Sequence, residues 1–515
     1  MEDPNCAVPR ETLFYNDAAD QFRAQGVPLF RAFPRGGVTV FVWTEAQFVN
    51  GDLFTLELQP ASEAAQRRAL QEGAPTAPKL SVRNYTKKPS NASREQEIYT
   101  PGNPIDLQSV VYIIDLSDML NFLYGNGTTS RVNNNLNNYF LQCSYNKTFF
   151  KPENVAIVRV PIRSCSGVLY NNSLVSGSVG SRVNASLGIV DWWSYSDYCD
   201  ASEQAAWIRE AEAEGRAQSA TNPGLERILR YTKPRRRNIY VLPNNAKCPW
   251  DGFGDVTCTT PTCTTFVLGK SLRINDTAAA ALVHEQMHNY GLEHAGIEGD
   301  PYGDTTDVMG DARLAKGALM CSNAPNMYRV GWATPTANGN ITSSNFTGTK
   351  NVLDGLAIPA ASLTDANMVI LNLAVTNTSA SRLESIDTYY LSYRVRASAA
   401  DKYDGGLPSS VSRRLFIHKY NGIQDERVFG FRPVLMQTLN TVTNPRYWPP
   451  SDVTYPYDLA TGRGGFFRVD LRATNATHAV VSICRATGKT ETACNDGLDN
   501  DCDGAIDKAD ADCPV

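Results

Sequence analysis

The stretch "AALVHEQMHNYGLEHAGIEGD", residues 280–300, constrains this chain more than any other. The sequence of 515 residues holds five histidines, and three of them, His284, His288 and His294, fall within eleven positions. The preceding "NDTAAAA" offers Asn275 or Asp276 as an N-cap ahead of an alanine run, so the segment reads as a helix. Residues four apart on a helix share a face, and His284 and His288 therefore project together. Glu285 falls one residue round, placed to reach a metal-held water without being a ligand. Gly291 permits the left-handed turn that stops the helix, after which His294 can return as a third ligand. Three neutral imidazoles with a fourth position open describe a catalytic zinc site rather than a structural one. Imidazoles alone also suit copper, which stays open as an alternative metal. A bare histidine pair four apart is common on ordinary helices. The full pattern H-E-x-x-H-x-x-G-x-x-H separates this segment from that background.

At this length one compact core is not expected. Residues 1–75 carry the strand-like runs "GGVTVFVWTEAQFV" and "DLFTLEL" and read as a β-rich N-terminal unit. Residues 76–107, rich in Pro, Ser, Asn and Lys, read as a linker. Strands and helices then alternate over 108–335: "SVVYIIDL", a helix at "MLNFLYG", "NVAIVRVPI", the helical "ASEQAAWIREAEAEGRAQ" and "GLERILRYTKP", and "NIYVLP". That alternation indicates an α/β domain. Over 340–485 short β-rich runs recur between turn signals, so an all-β, sandwich-like domain is expected. Residues 490–515 form a separate acidic, cysteine-bearing module.

The net charge of −5, from 48 basic and 53 acidic residues, gives no support to a nucleic-acid partner. The one basic run, "KPRRRN" at 233–238, reads as the solvated start of a strand. No stretch of eighteen apolar residues occurs, so no transmembrane segment is expected. Twelve cysteines, an even number, suit a disulfide-bonded extracellular protein. Eleven Asn-x-Ser/Thr sequons, at Asn84, Asn91, Asn126, Asn146, Asn171, Asn184, Asn275, Asn340, Asn345, Asn377 and Asn475, point the same way. The N-terminal "MEDPNCAVPRETLF" has neither the basic start nor the apolar core of a signal peptide. The expectation of secretion therefore rests on cysteines and sequons, with the leader removed, outside the sequence, or replaced by another export route.

The extended histidine signature resembles that of the metzincin metallopeptidases, which also carry a methionine turn below the metal. Here "YGDTTDVMGD" follows, making Met309 the expected Met-turn residue. "HNYGLEHAG", "YGDTTDVMG" and "CSNAPNMYRVGWATP" together resemble the gametolysin family of green-algal cell-wall lytic peptidases. "FLQCSYNKTFF", "VRVPIRSC" and "YYLSYRVRASAADKYDGGL" extend the resemblance over roughly residues 108–485. It implies a metzincin-like α/β catalytic domain, a mixed sheet with a long zinc-site helix. It also implies a metalloendopeptidase acting on matrix or cell-wall glycoproteins. Glu285 would be the general base. Some metzincins place a helper tyrosine soon after the methionine; this chain has "MGDA", so no helper is assigned, and Tyr290 and Tyr302 are read as packing residues.

In the tail, "DGLDNDCDGAID" sets Asp499, Asp501 and Asp503 at alternate positions, followed by Asp507. Such carboxylates supply hard oxygen ligands to calcium, although the distal glutamate of an EF-hand is absent. A solvated acidic tail held by disulfides is the alternative. "PNCAVPR" lacks the residues that flank a propeptide cysteine switch, so Cys6 is read as a disulfide or unpaired cysteine, while residues 1–75 as a whole suit a propeptide. His418 and His478 are read as packing or surface residues. The competing functional class is a catalytically inactive, matrix-binding glycoprotein on the same scaffold.

Overall fold

The computed structural model describes, with short gaps, residues 101–114, 128–160, 199–256, 262–269, 278–311, 318–372, 388–420, 432–441 and 466–514. It also describes short strands within 29–87, 166–194 and 447–464. The helix expected at "MLNFLYG" lies outside the described residues. The described α-helices are α1 (Thr128–Cys143), α2 (Ala201–Ser219), α3 (Pro223–Leu229), α4 (Ala278–His288) and α5 (Ala324–Arg329). The chain forms two compact units that do not follow chain order. One comprises Met1–Gln96, Leu107–Arg131 and Lys151–Ile274; the other comprises Glu97–Asp106, Val132–Phe150 and Asn275–Val515.

The first unit is built on a mixed five-stranded sheet of β1 (Ser109–Ile114), β2 (Val155–Val160), β3 (Arg236–Leu242), β4 (Gly252–Gly254) and β5 (Thr262–Leu268), in the order β4-β5-β3-β1-β2. Four strands run parallel and only the edge strand β4 is antiparallel. Side chains alternate across a strand. Val110, Tyr112 and Ile114 of β1 thus line one face, with Tyr240 and Phe266 beside them, under Trp207 of α2 and Ile228 of α3. The rings form a ladder across three strands: Tyr112 stacks on Tyr240 at 5.0 Å, and Tyr240 on Phe266 at 5.1 Å. The basic run is not solvated as expected. Arg236 and Arg237 are buried, because the strand they open is the central one. Inside, Arg236 donates to Asn238 and to the Leu229 carbonyl, and Arg237 to Cys263 Sγ. Leu29–Ala32, Val40–Trp43, Phe54–Pro60 and Leu80–Lys87 make a separate four-stranded sheet, the last strand falling inside the stretch expected to be a linker.

In the second unit, β6 (Thr334–Thr342), β8 (Ala366–Asn372), β9 (Thr388–Arg394), β10 (Arg414–Lys419) and β11 (Val434–Leu439) form one sheet in that order. A second sheet contains β7 (Val352–Pro359), β12 (Tyr447–Trp448), β13 (Phe466–Thr474) and β14 (His478–Ala486), in the order β7-β14-β13-β12. The two share a core that includes Leu371, Leu391, Ile417, Val469, Val481 and Ile483. Alternation on β9 and β10 matters most for function. Tyr389, Leu391, Tyr393, Leu415 and Ile417 point into that core. The intervening Tyr390, Ser392, Arg394, Phe416 and His418 occupy the opposite face, and they are buried as well. A sheet buried on both faces reads as a near-continuous apolar run, as "RLFIHK" does apart from its polar ends and His418.

Among the described residues four disulfides are defined: Cys143–Cys321, Cys199–Cys248, Cys484–Cys502 and Cys494–Cys513. The described sequon asparagines Asn146, Asn340, Asn345 and Asn475 are exposed. No described helix is long and apolar enough to cross a membrane. Phe266 is 1% exposed and meets Trp207, Tyr240 and Trp250. Phe266→Ala is therefore expected to lower stability by about 3–5 kcal/mol, read as a shift of the urea midpoint.

Candidate active site

Helix α4 delivers His284 and His288 from one face, as their spacing requires. The N-cap expected at Asn275 or Asp276 lies outside the described residues. The helix ends as the sequence suggests: Gly291 has φ +77°, and its N–H donates to the His288 carbonyl at 2.7 Å. The redirected chain then returns His294 to the other two imidazoles. Ring centroids lie 4.9 Å apart for His284 and His288, 5.2 Å for His284 and His294, and 4.8 Å for His288 and His294. The three residues offer ligand nitrogens within 4.8 Å of one another.

Hydrogen bonding fixes which nitrogens face inward. His284 Nδ1 lies 2.7 Å from the Val308 carbonyl, and His288 Nδ1 lies 2.7 Å from the Leu292 carbonyl. A carbonyl only accepts, so each Nδ1 carries a proton and each Nε2 keeps its lone pair. His288 Nε2 and His294 Nε2 approach to 3.1 Å. Burial lowers the pKa of His284, against the Val308 hydrogen bond. Burial, then the charges of His284 and His294, lowers that of His288 well below its ordinary value. His294 is pushed down to about 3 by burial, then by His284 and Arg432. All three are therefore neutral donors at neutral pH, facing one another with no anion among them. That donor set fits a divalent ion with a preference for nitrogen, as zinc has.

Glu285 is buried, 7% exposed, and its carboxylate is not one of the converging ligand groups. Met309 is fully buried, and its carbonyl accepts from Ala295 N–H at 2.9 Å. The methionine segment thus holds the cluster twice, through Val308 to His284 and through Met309 to the residue after His294. Gly310 closes this segment where a Cβ would stand 2.0 Å from the Asp304 carbonyl oxygen, so only glycine fits.

Tyr290 packs as expected, 3% exposed against Phe140 and Trp332. Tyr302 does not. It is 46% exposed, and its ring lies 4.1 Å from that of His294 and 6.4 Å from that of His284. His288 is buried and His284 and His294 are half-buried, with the exposed Tyr302 ring beside the latter two. His478 sits at a strand start beside Asn475 and Thr477, but His418 is fully buried and hydrogen-bonded through Nε2 to the Asp304 carboxylate at 3.0 Å. Sequence reasoning did not single out Asp304 or Arg394, nor the contact of His418 with Asp304, because nothing local marks residues that meet across 73 to 114 positions.

In the tail, the structure brings Asp499, Asp501 and Asp503 together. Asp507 is elsewhere, grouped with Glu491 and Asp496, where it accepts from the N–H groups of Asp496 and Gly497 at 2.9 and 3.2 Å. Asp499 is 7% exposed; one carboxylate oxygen accepts from Gly504 N–H at 3.0 Å, and the other is buried with no hydrogen-bond partner. Burial, then the charges of Asp501 and Asp503, pushes the Asp499 carboxyl up to about 6.

The model of the gametolysin peptidase M11 family matches residues 119–432, which include the whole histidine cluster and Met309. Autolysin of Chlamydomonas reinhardtii is 36% identical over 577 aligned positions, covering 100% of this chain and 86% of that protein. With more than half of its length matched and the signature histidines gathered at one point, the chain belongs to the gametolysin peptidase family.

Proposed function

We propose that the chain is a secreted zinc metalloendopeptidase of metzincin type that cuts extracellular-matrix or cell-wall glycoproteins. The observation that carries this reading is the convergence of His284, His288 and His294 beside buried Glu285, with two Nδ1 protons committed to backbone carbonyls. The three imidazoles would hold zinc through Nε2. When bound, zinc supplies a Lewis acid that polarises a peptide carbonyl and acidifies a water. The Glu285 carboxylate would take the proton of the attacking water and return it to the leaving amine nitrogen. Met309 would serve as the Met-turn residue. Tyr302 would border the substrate as it approaches His294. The names autolysin and gametolysin both describe lysis, which supports a wall or matrix substrate. Bonded cysteines and exposed sequon asparagines support secretion. The intact Glu285 and three converging imidazoles speak against the inactive-scaffold reading.

On this reading the two packed sheets of the second unit are a β-sandwich, and residues 1–75 suit a latency-conferring propeptide. The acidic tail would be a calcium-stabilised attachment or stability module. The orphaned buried oxygen of Asp499, between Asp501 and Asp503, is what favours a cation there.

Glu285→Gln is expected to lower kcat on casein or cell-wall protein by about 10²–10⁴-fold while zinc content by metal analysis stays at the wild-type level. Equal cleavage by the two proteins, or a wild type that holds no zinc and cleaves nothing, overturns the assignment. Tyr302→Ala should raise KM more than it lowers kcat; an unchanged KM removes the tyrosine from the substrate path. For the tail, calorimetric titration of the metal-free full chain with calcium should show binding that Asp499→Asn abolishes. Identical titrations would leave the tail as a disulfide-held acidic segment.

A further inference from the structure

The methionine segment that fixes the histidine cluster is itself held by the face of the five-stranded sheet opposite the shared core. Asp304 begins that segment and is fully buried. Its carboxylate accepts from Thr306 N–H at 3.0 Å, the Thr306 hydroxyl at 2.5 Å, Asn323 Nδ2 at 3.4 Å and His418 Nε2 at 3.0 Å. Two residues on, the Thr306 carbonyl accepts from Arg394 Nη1 at 2.6 Å. Arg394 lies on β9 and His418 on the paired strand β10, and both project from the same face. Arg394 is oriented in turn by Asp404, whose carboxylate takes Nε at 2.8 Å and Nη2 at 2.5 Å, and by the ring of Phe416 beneath its guanidinium at 5.5 Å. The other side of the cluster is stitched to the same sheet: Gly296 N–H donates to the Pro433 carbonyl at 3.0 Å, and Leu435 N–H to the Gly296 carbonyl at 2.8 Å.

We infer that His418 is a positioning residue for the metal site: through Asp304 it sets the segment 304–309, whose Val308 and Met309 carbonyls hold His284 and the residue after His294. This rests on the zinc reading above. The links are a hydrogen bond from β10 to Asp304, the five residues of backbone from Asp304 to Val308, and a hydrogen bond between the Val308 carbonyl and a ligand imidazole. A purely structural histidine in that place would contribute to folding and leave metal affinity alone. A positioning one acts on the orientation of a ligand ring, and partners of this kind typically change metal affinity or activity by about 10–100-fold.

The test uses the full-length protein and reads zinc affinity by competition with a chromophoric chelator, with far-ultraviolet circular dichroism as the check on folding. His418→Leu keeps the bulk and removes the donor, and is expected to weaken zinc binding about 10–100-fold. At saturating zinc, KM for a peptide substrate should stay near the wild-type value. His418→Gln retains a donor for Asp304 and should recover most of the affinity. Glu285→Gln serves as the control that binds zinc as the wild type does. If wild type and Glu285→Gln both fail to bind zinc, the metal reading falls and this inference with it. If both bind, and folded His418→Leu binds equally well, His418 is core packing only and the inference is overturned while the metal reading stands. Should His418→Leu fail to fold, His418→Gln is set against Asp304→Asn. A weaker site in Asp304→Asn than in His418→Gln supports the inference, and equal affinities overturn it.

Discussion

The site depends on where two imidazole protons are sent. A metal cluster of three histidines works only if every ring turns a lone pair inward, and neutral imidazole can present either nitrogen. Backbone carbonyls settle the matter for two of the three rings here, because they neither titrate nor donate. The Leu292 carbonyl, which takes the proton of His288, is supplied by the same chain as it leaves the helix. The Val308 carbonyl, which takes that of His284, arrives from 24 residues further on. The first is guaranteed by the helix and Gly291. The second exists only if the methionine segment is held in place, and the rest of the second unit can be understood from that requirement.

Holding the segment takes a concentration of buried polar and charged side chains. Asp304, Asp307, Arg394, Asp404 and His418 are all 2% exposed or less. Taking an ion out of water costs several kcal/mol, and only complete hydrogen bonding offsets it. Burial alone would raise the Asp304 carboxyl, but the hydrogen bonds and charge of His418 and the two Thr306 donors hold it below its ordinary value. Asp307 goes the other way: burial, then the neighbouring charge of Asp304, pushes it up to about 6, despite the N–H groups of Asn323 at 2.6 Å and Met309 at 2.7 Å. A network of this kind is a poor source of net stability. Its use is directional, since each carboxylate is satisfied in only one arrangement of the loop.

What was legible in the sequence follows from the range of the interactions involved. The three histidines, the flanking Glu285 and the break at Gly291 lie within eleven residues, and helical periodicity with one glycine was enough to expect their convergence, whereas Met309 is expected only from the family resemblance. Strands β1, β2 and β3 and helices α2 and α3 of the first unit were legible for the same reason, whereas β5, with three threonines in "TCTTFVL", carries no such pattern. Arg236 and Arg237 were misread as solvated because a basic run at a strand start says nothing about whether the strand is central. His418 was read as packing or surface because its partner is 114 residues away. One signal was present: in "RLFIHK" apolar residues fill both alternating faces, so the strand had to be covered on both sides, and a histidine there had to find a buried acceptor. Tyr302 was misassigned for a different reason. Its exposure beside His294 depends on the short turn at 297–303, in which Ile297 and Asp300 exchange backbone hydrogen bonds at 3.0 and 3.2 Å.

The chain changes texture near residue 340, where helices give way to strands, yet the hydrogen bonding does not stop there. Residues 275–335 and the strands beyond 340 cluster in one compact unit. The ties are specific: Gly296 pairs with β11, Arg394 and His418 grip the methionine segment, and Leu319 exchanges backbone bonds of 2.8 and 2.7 Å with Ala400 and Gly406. A strand whose two faces serve two purposes is tightly constrained, because a slip of one residue would turn His418 into the shared core and Ile417 toward Asp304. Register in β9 and β10 is thus fixed from both sides, by Leu391 and Ile417 against the second sheet and by Arg394 and His418 against buried carboxylates. The late strands therefore bear on the geometry of a histidine cluster encoded more than a hundred residues earlier.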